Sequence, residues 1–364
     1  MVLLYILGAV ILINCIYYLF FSKFSFNSLS YSSEPPSIPV SVIVCAKNEA
    51  DNLEKNIPLW LAQEYPLFEL VLINDASMDE SLEVMEKFAA EDDRIKIVNV
   101  KNNEAFWGNK KYALTLGIKA ARHDHLVFTD ADCFPASTKW LVLMASGFSQ
   151  KKEIVLGYGG YERKKGILNK LVRFETLLTA LQYFSSAMSG NPYMGVGRNL
   201  AYKTQLYYNN KGFMSHIKIP SGDDDLFVNE AATAKNTAIC AHPDAFTYSQ
   251  PKLTYKEWFR QKQRHYTTSK YYKTKHKIQL GLFYASNVFF WMMAAVVLLT
   301  DKWLIGLGLI LFRFIVQYVV IGKAAQKLKE KDLIASIPLL EFFLLFIQIS
   351  IFISNKGDSR VKWK

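Results

Sequence analysis

The chain has 364 residues, 51% of them hydrophobic, and a formal net charge of +11. That length allows one large domain or two smaller ones. The apolar residues are clumped, which points to membrane segments, and the four scattered cysteines (Cys15, Cys45, Cys133, Cys240) show no metal-type spacing and suggest no disulfide framework.

The first element is a membrane anchor. Residues 2–21, VLLYILGAVILINCIYYLFF, contain one clearly polar side chain, Asn14. Twenty helical residues span roughly 30 Å, the thickness of a hydrocarbon core. A cleaved signal peptide would need a basic start, a shorter apolar core and a small-residue cleavage site, none of which is evident. Residues 1–23 are therefore read as a retained transmembrane anchor, and 24–38, with NSLSYSSEPPSIP, as a linker.

Strands and helices then alternate. VSVIVCA (40–46), ELVLIND (69–75), IKIVNV (95–100) and HLVFTD (125–130) are short β-branched or apolar runs. Helical stretches at about 49–63, 79–92 and 107–121 separate them. Alternation at this spacing predicts right-handed βαβ units and a mostly parallel, Rossmann-like sheet. Ligands of such sheets bind beyond the carboxyl ends of the strands. At those ends stand Lys47, Asn48 and Glu49, then Asp75, then Asp130 and Asp132. A solvated turn accounts for any one of these but poorly for the set. The first strand is followed by AKNEADN, which is neither a dinucleotide fingerprint nor a P-loop.

Residues 164–188 carry apolar side chains at helical spacing, as an interfacial helix or a plain core helix would. Residues 255–277 hold eight Lys or Arg against one Glu, directly before an apolar segment. A basic, aromatic stretch at that position fits the cytoplasmic membrane face and its anionic lipids better than a nucleic-acid partner. Lys23 agrees. Three further membrane segments are expected at 278–299, 303–321 and 333–354, followed by a basic tail, 355–364. Four full spans put that tail on the outer side, away from the cytoplasm; a re-entrant or interfacial C-terminal segment would remove the conflict. Arg313 and Glu341 fall near mid-membrane, where lone charges are costly, so they are expected to pair; a pocket for an acceptor headgroup is the alternative.

Several segments, taken together and in order, resemble the membrane-attached bacterial branch of the family-two inverting glycosyltransferases, of GT-A fold. PVSVIVCAKNEADNL resembles the opening strand and nucleotide loop, and LVLINDASMDES the second strand. NKKYALTLGI resembles G-K-x-x-A-L-N-x-G, with Asn109 in place of the glycine. DAD (130–132) is the D-x-D motif. GVGRNLAY resembles the acceptor-side strand, SGDDDLF the G-E-D-x-D-L segment, and QKQRH (261–265) the Q-x-x-R-W motif, with His265 in place of the tryptophan. The resemblance spans about residues 38–275. It implies a GT-A catalytic domain over 39–254 and a basic interfacial helix over 255–277.

The resemblance also implies a chemistry. Ala46, Asn48, Glu49, Asp75, Lys110 and Asp130 would bind the nucleotide sugar, with Gln261 and Arg264 on its diphosphate. Asp132, with Asp130, would hold Mg²⁺ or Mn²⁺, hard cations that take oxygen ligands. Asp224 aligns with the catalytic base. The segment is one residue shorter than the family's, so Asp223 or Asp225 could take that role; otherwise these two and His265 would face the acceptor. Three adjacent acids repel, which raises at least one pKa. His265 for tryptophan, with few membrane helices, argues against processive polymer synthesis. The implied protein is a multi-pass membrane enzyme with a cytoplasmic catalytic domain, moving a sugar from a nucleotide-sugar donor, a UDP-sugar by expectation, to a lipid or glycan acceptor. Two other readings were weighed: an inactive membrane-anchored carbohydrate-binding or assembly subunit, and a sugar-phosphate nucleotidyltransferase. The second needs a glycine-rich loop that AKNEADN does not supply.

Overall fold

The computed structural model describes residues 1–31, 36–101 and 110–355. The expectations about Asn109 and the basic tail lie outside these residues. The chain forms two compact units. One comprises Met1–Ser28, Lys164–Ser189 and the chain from Leu253 onward; the other comprises Leu29–Arg163 and Gly190–Lys252. The contiguous 39–254 domain expected from sequence is thus interrupted, because residues 164–189 group with the membrane helices.

The helical unit contains α1 (Val2–Phe26), α6 (Ile167–Met188), α9 (Tyr255–Ser269), α10 (Thr274–Leu298), α11 (Trp303–Lys327) and α12 (Ile337–Asn355). Four stretches are long and apolar enough to cross a membrane: α1, α10, α11 and Lys331–Ser354, which opens with a 3-10 turn before α12. α10 begins four residues before the expected 278, and α11 runs six beyond the expected 321. The added residues are largely polar or basic, and hydropathy alone could not see them continue the helix. Leu7 and Ile11 of α1 pack on Phe290, Ala294 and Val297 of α10 and Ile310 of α11. α6 buries Leu171, Phe174, Leu177 and Leu181. Its Arg173 makes a two-oxygen contact with Asp332 (2.9 and 2.6 Å) and pairs with Glu330. Residues 167–188 are thus a packed helix that groups with the membrane-length helices.

A polar knot sits among the apolar helices. Arg313 is fully buried and donates to both oxygens of Glu341 (2.8 and 2.9 Å), to Asn14 (3.0 Å), Asn287 (2.6 Å) and Gln317 (3.0 Å). A guanidinium has five N–H donors, so each finds an acceptor. Gln317 and Trp291 donate back to Glu341, at 2.7 and 3.3 Å. All four membrane-length helices contribute a side chain. The expected Arg313–Glu341 pair is present.

The second unit is an α/β layer structure. Its elements in chain order are β1 (Val40–Ala46), α2 (Ala50–Leu61), β2 (Phe68–Asp75), α3 (Ser81–Glu91), β3 (Ile95–Val100), α4 (Lys110–Ala120), β4 (His125–Asp130), β5 (Cys133–Pro135), α5 (Trp140–Ala145), β6 (Ile154–Leu156), β7 (Gly159–Tyr161), β8 (Leu200–Lys203), α7 (Thr204–Asn209), α8 (Asp225–Ala231), β9 (Thr237–Ile239) and β10 (Thr247–Ser249). A seven-stranded sheet runs β3-β2-β1-β4-β8-β6-β9, and a small sheet runs β5-β10-β7. The first four strands of the large sheet are parallel, as the alternation predicts; β8 is antiparallel to β4 and to β6. β1 and β2 are buried on both faces, which is why they read as unbroken apolar runs. Each such Val, Leu or Ile contributes about 1.5–3 kcal/mol.

Asn199 joins the two sheets. Its Nδ2 donates to the carbonyls of Tyr158 (2.9 Å) and Ala245 (2.8 Å), and its Oδ1 accepts from Trp140 Nε1 (3.0 Å). Truncation to alanine strands three buried polar groups at about 1–3 kcal/mol each. Asn199→Ala is therefore expected to lower the midpoint of denaturant unfolding markedly without altering the dependence on denaturant concentration.

Candidate active site

Strand register brings the polar ends together. Cys45 lies opposite Asp130, and Ala46 opposite Asn74, the residue before Asp75. Because β8 is antiparallel to β4, with Leu200 opposite Phe128, the turn Gly197–Asn199 that precedes β8 arrives at this same edge. The edge therefore collects the exits of β1, β2 and β4 and the entry of β8.

Asp75 is buried at the end of β2, 4.0 Å from Lys47 Nζ. Its Oδ2 has no hydrogen-bond partner among the described residues. Burial raises its carboxyl above the usual range, against the opposing charges of Lys47 and Lys110. A buried carboxylate oxygen left open suits a donor N–H or O–H from a ligand. The loops around it are locked to one another. Asn48, at φ +56°, donates its N–H to Ser77 Oγ (3.0 Å), and its Oδ1 accepts from Met78 N (2.8 Å); Glu49 N donates to Ser81 Oγ (2.8 Å). Asn48 thus ties the β1 exit to the β2 exit, a contact that the sequence does not show, and Ala46 is buried beneath.

Lys110, at the start of α4, joins two acids far apart in sequence. Its Nζ is 2.7 Å from Asp130 Oδ1 and 3.4 Å from Asp223 Oδ2. Burial alone would lower its pKa; the two carboxylates outweigh that and hold it well above the lysine range. Asp223, though buried, is kept ionised below the carboxylate range by Lys110.

Asp224 caps α8. Its Oδ2 accepts from Gly197 N and its Oδ1 from Asp225 N, both at 2.7 Å. Burial first, and then the charges of Asp223 and Asp225, push its pKa up to about 7. The three adjacent acids differ accordingly: Asp223 is matched by lysine, Asp225 is buried and caps Leu226 N (2.7 Å), and Asp224 is the one poised to exchange a proton near neutrality.

The D-x-D turn is pinned by Asn56, whose Nδ2 donates to the Ala131 carbonyl (2.8 Å). Carboxylate oxygens of Asp130 and Asp132 and the Cys133 sulfur lie within 4.8 Å of one another. Asp132 is raised above the usual range by burial and then by Asp130. Two carboxylates crowded in this way, one destabilised by the other, fit a hard divalent cation. Arg198 stands nearby with its guanidinium over the Tyr161 ring (4.4 Å) and its charge felt at Asp132.

The expected residues Asp75, Lys110, Asp130, Asp132, Asp223, Asp224 and Asp225 all lie in the α/β unit; Lys110 joins Asp130 and Asp223, and the Gly197 turn holds Asp224. Gln261 and Arg264 lie on α9 of the helical unit, as does the backbone of His265. Sequence reasoning missed Gly197, whose backbone holds Asp224, and Lys111 and Arg198. Only Arg198 left a trace, as a lone charge inside GVGRNLAY.

A mixed sheet opened by parallel strands, with paired aspartates past its fourth strand, is the GT-A architecture. Residues 41–203 match the sequence profile described as Glycosyl transferase family 2. The chain is 28% identical over 170 residues, 47% of this chain and 48% of the other, to an uncharacterized glycosyltransferase of Haemophilus influenzae. It is 32% identical over 123 residues, 33% of this chain and 29% of the other, to a poly-β-1,6-N-acetyl-D-glucosamine synthase of Staphylococcus epidermidis. The match thus spans half or less of these relatives' length. In fold it is similar to a mannosyltransferase from Pyrobaculum calidifontis solved with GDP-Man and Mn²⁺, with a TM-score of 0.60 at 17% identity, covering 98% of this chain and 99% of that one.

Proposed function

We propose that this protein is a membrane-bound inverting glycosyltransferase that moves a sugar from a nucleotide-sugar donor, a UDP-sugar by preference, to a lipid-linked or membrane-proximal acceptor, with its α/β unit in the cytoplasm. The observation that carries the reading is Lys110 bridging Asp130 and Asp223, with Asp224 beside them at the strand edge that holds Asp75.

In this reading Asp75 takes a polar hydrogen of the base or ribose. Asp132 and Asp130 would hold Mg²⁺ or Mn²⁺, and the cation would supply positive charge against the diphosphate leaving group. Lys110 orients Asp130 and adds a positive charge on the donor side. Asp224 accepts the proton of the attacking acceptor hydroxyl; a pKa near the working pH suits a general base. Inversion follows from one displacement with one base. The resemblance assigns diphosphate contact to Gln261 and Arg264 and acceptor contact to His265, and that part of the reading rests on sequence. Lys23 and the basic run at 255–277 support the cytoplasmic orientation.

The test is a panel of nucleotide sugars incubated with the purified full-length protein and total membrane lipid, with and without chelator, the products identified by mass spectrometry. A sugar-lipid adduct that disappears with chelator and returns with Mg²⁺ or Mn²⁺ is expected. No adduct and no donor hydrolysis for any sugar would favour an inactive binding subunit.

A further inference from the structure

The second lysine of α4 makes contacts that the mechanism above does not use. Lys111 is 1% exposed. Its Nζ donates to the backbone carbonyls of His216 (2.9 Å), Ile219 (2.6 Å) and Ser221 (2.7 Å). An ammonium has three N–H donors and no acceptor, so one short stretch of main chain supplies one carbonyl per proton. That stretch leaves a 3-10 turn at Met214–His216, reaches Gly222 at φ +97°, and delivers Asp223 and then Asp224 to the start of α8. Three carbonyls converging on one point repel one another unless a donor sits among them. Lys111 supplies that donor from another element and, together with the local bond from Ile219 N to the His216 carbonyl (3.0 Å), holds the curl of residues 216–221. Successive helical residues point about 100° apart. Lys110 accordingly grips side chains, Asp130 and Asp223, while Lys111 grips the backbone that leads to Asp224.

We propose that Lys111 is a positioning residue for sugar transfer: it holds the 216–221 backbone in the curl that aims Asp224 at the acceptor hydroxyl. This rests on Asp224 being the base. Lys111 touches neither substrate nor metal and acts through the loop, so its loss should fall on turnover and spare donor binding.

The experiment uses the full-length protein and compares wild type, Lys111→Met, Gly222→Ala and Asp224→Asn, with folded protein quantified by thermal unfolding. Gly222→Ala disturbs the same loop from its other end: the position has a left-handed backbone, and an added Cβ would lie 2.5 Å from Leu226 Cδ1. For Lys111→Met, kcat per folded molecule is expected to fall about 100-fold, the scale of a misplaced catalytic group, with KM for the nucleotide sugar within threefold of wild type. Gly222→Ala should show the same split, and it carries the test alone if Lys111→Met does not fold. Wild-type kcat per folded molecule in the variant that folds overturns the proposal. So does a loss that falls mainly on donor KM. If Asp224→Asn turns over like wild type, the underlying assignment of the base fails; if Asp224→Asn is dead while Lys111→Met is fully active, only the positioning role fails.

Discussion

Asp224→Asn is expected to lose about 10²–10⁴-fold in kcat, the range that a positioned general base contributes. The substitution keeps the side chain's size and an acceptor oxygen for one of the two amides, Gly197 N or Asp225 N, and leaves Asp75, Asp130 and Asp132 untouched, so donor affinity should hold; nucleotide binding by calorimetry checks that separately from turnover. The wild-type rate should rise with pH through about 7, where the raised carboxyl ionises, and the residual rate of the variant should lack that limb. Stability gives an independent readout. A carboxyl raised from 3.8 to about 7 on folding binds more protons folded than unfolded across that window. Its contribution is therefore fully present below about pH 4 and lost as pH rises toward 7. The stability of Asp224→Asn relative to wild type should climb across the same interval. A pH-independent difference would mean that the burial and charge repulsion at Asp224 are not felt.

Arg313→Gln is expected to cost about 3–5 kcal/mol, because it leaves Glu341 buried without its guanidinium partner. The remaining donors to that carboxylate are Gln317 and Trp291, both neutral. Glu341→Gln should be similarly damaging, since Arg313 would keep only neutral acceptors. Arg313→Gln combined with Glu341→Gln removes both charges and should regain much of the folded yield, measured as monodisperse protein extracted from membranes and by thermal unfolding in detergent. If the double variant is as poor as the worse single one, the pair is not what the bundle depends on, and the neutral partners Asn14 and Asn287 would have to carry more of its order.

The parallel half of the sheet was legible because β1, β2 and the middle of β4 are buried and largely apolar, and because their polar exits interrupt those runs abruptly. Asn14, the one clearly polar residue of the first anchor, was visible but not its purpose, since its partners lie some 270 and 300 residues away on α10 and α11. β6, β7, β9 and β10 were not predicted. They are three residues long, and three residues carry no periodicity. The acids of the site were legible by residue type, whereas their division of labour was not. That Asp223 rather than Asp224 takes Lys110 depends on the loop leading into α8, and the loop depends on carbonyls, which sequence does not display. Lys111 was hidden for the same reason, as one more basic residue beside a lysine with an evident role.

The order in which the chain visits its two units has a practical outcome. It crosses from one to the other after Ser28, Arg163, Ser189 and Lys252. Trimming both termini therefore does not by itself free the α/β unit, because α6 lies within its stretch of chain and groups with the other unit. Expressing the α/β unit alone requires excision of residues 164–189 and a linker from Arg163 to Gly190, in addition to both terminal cuts.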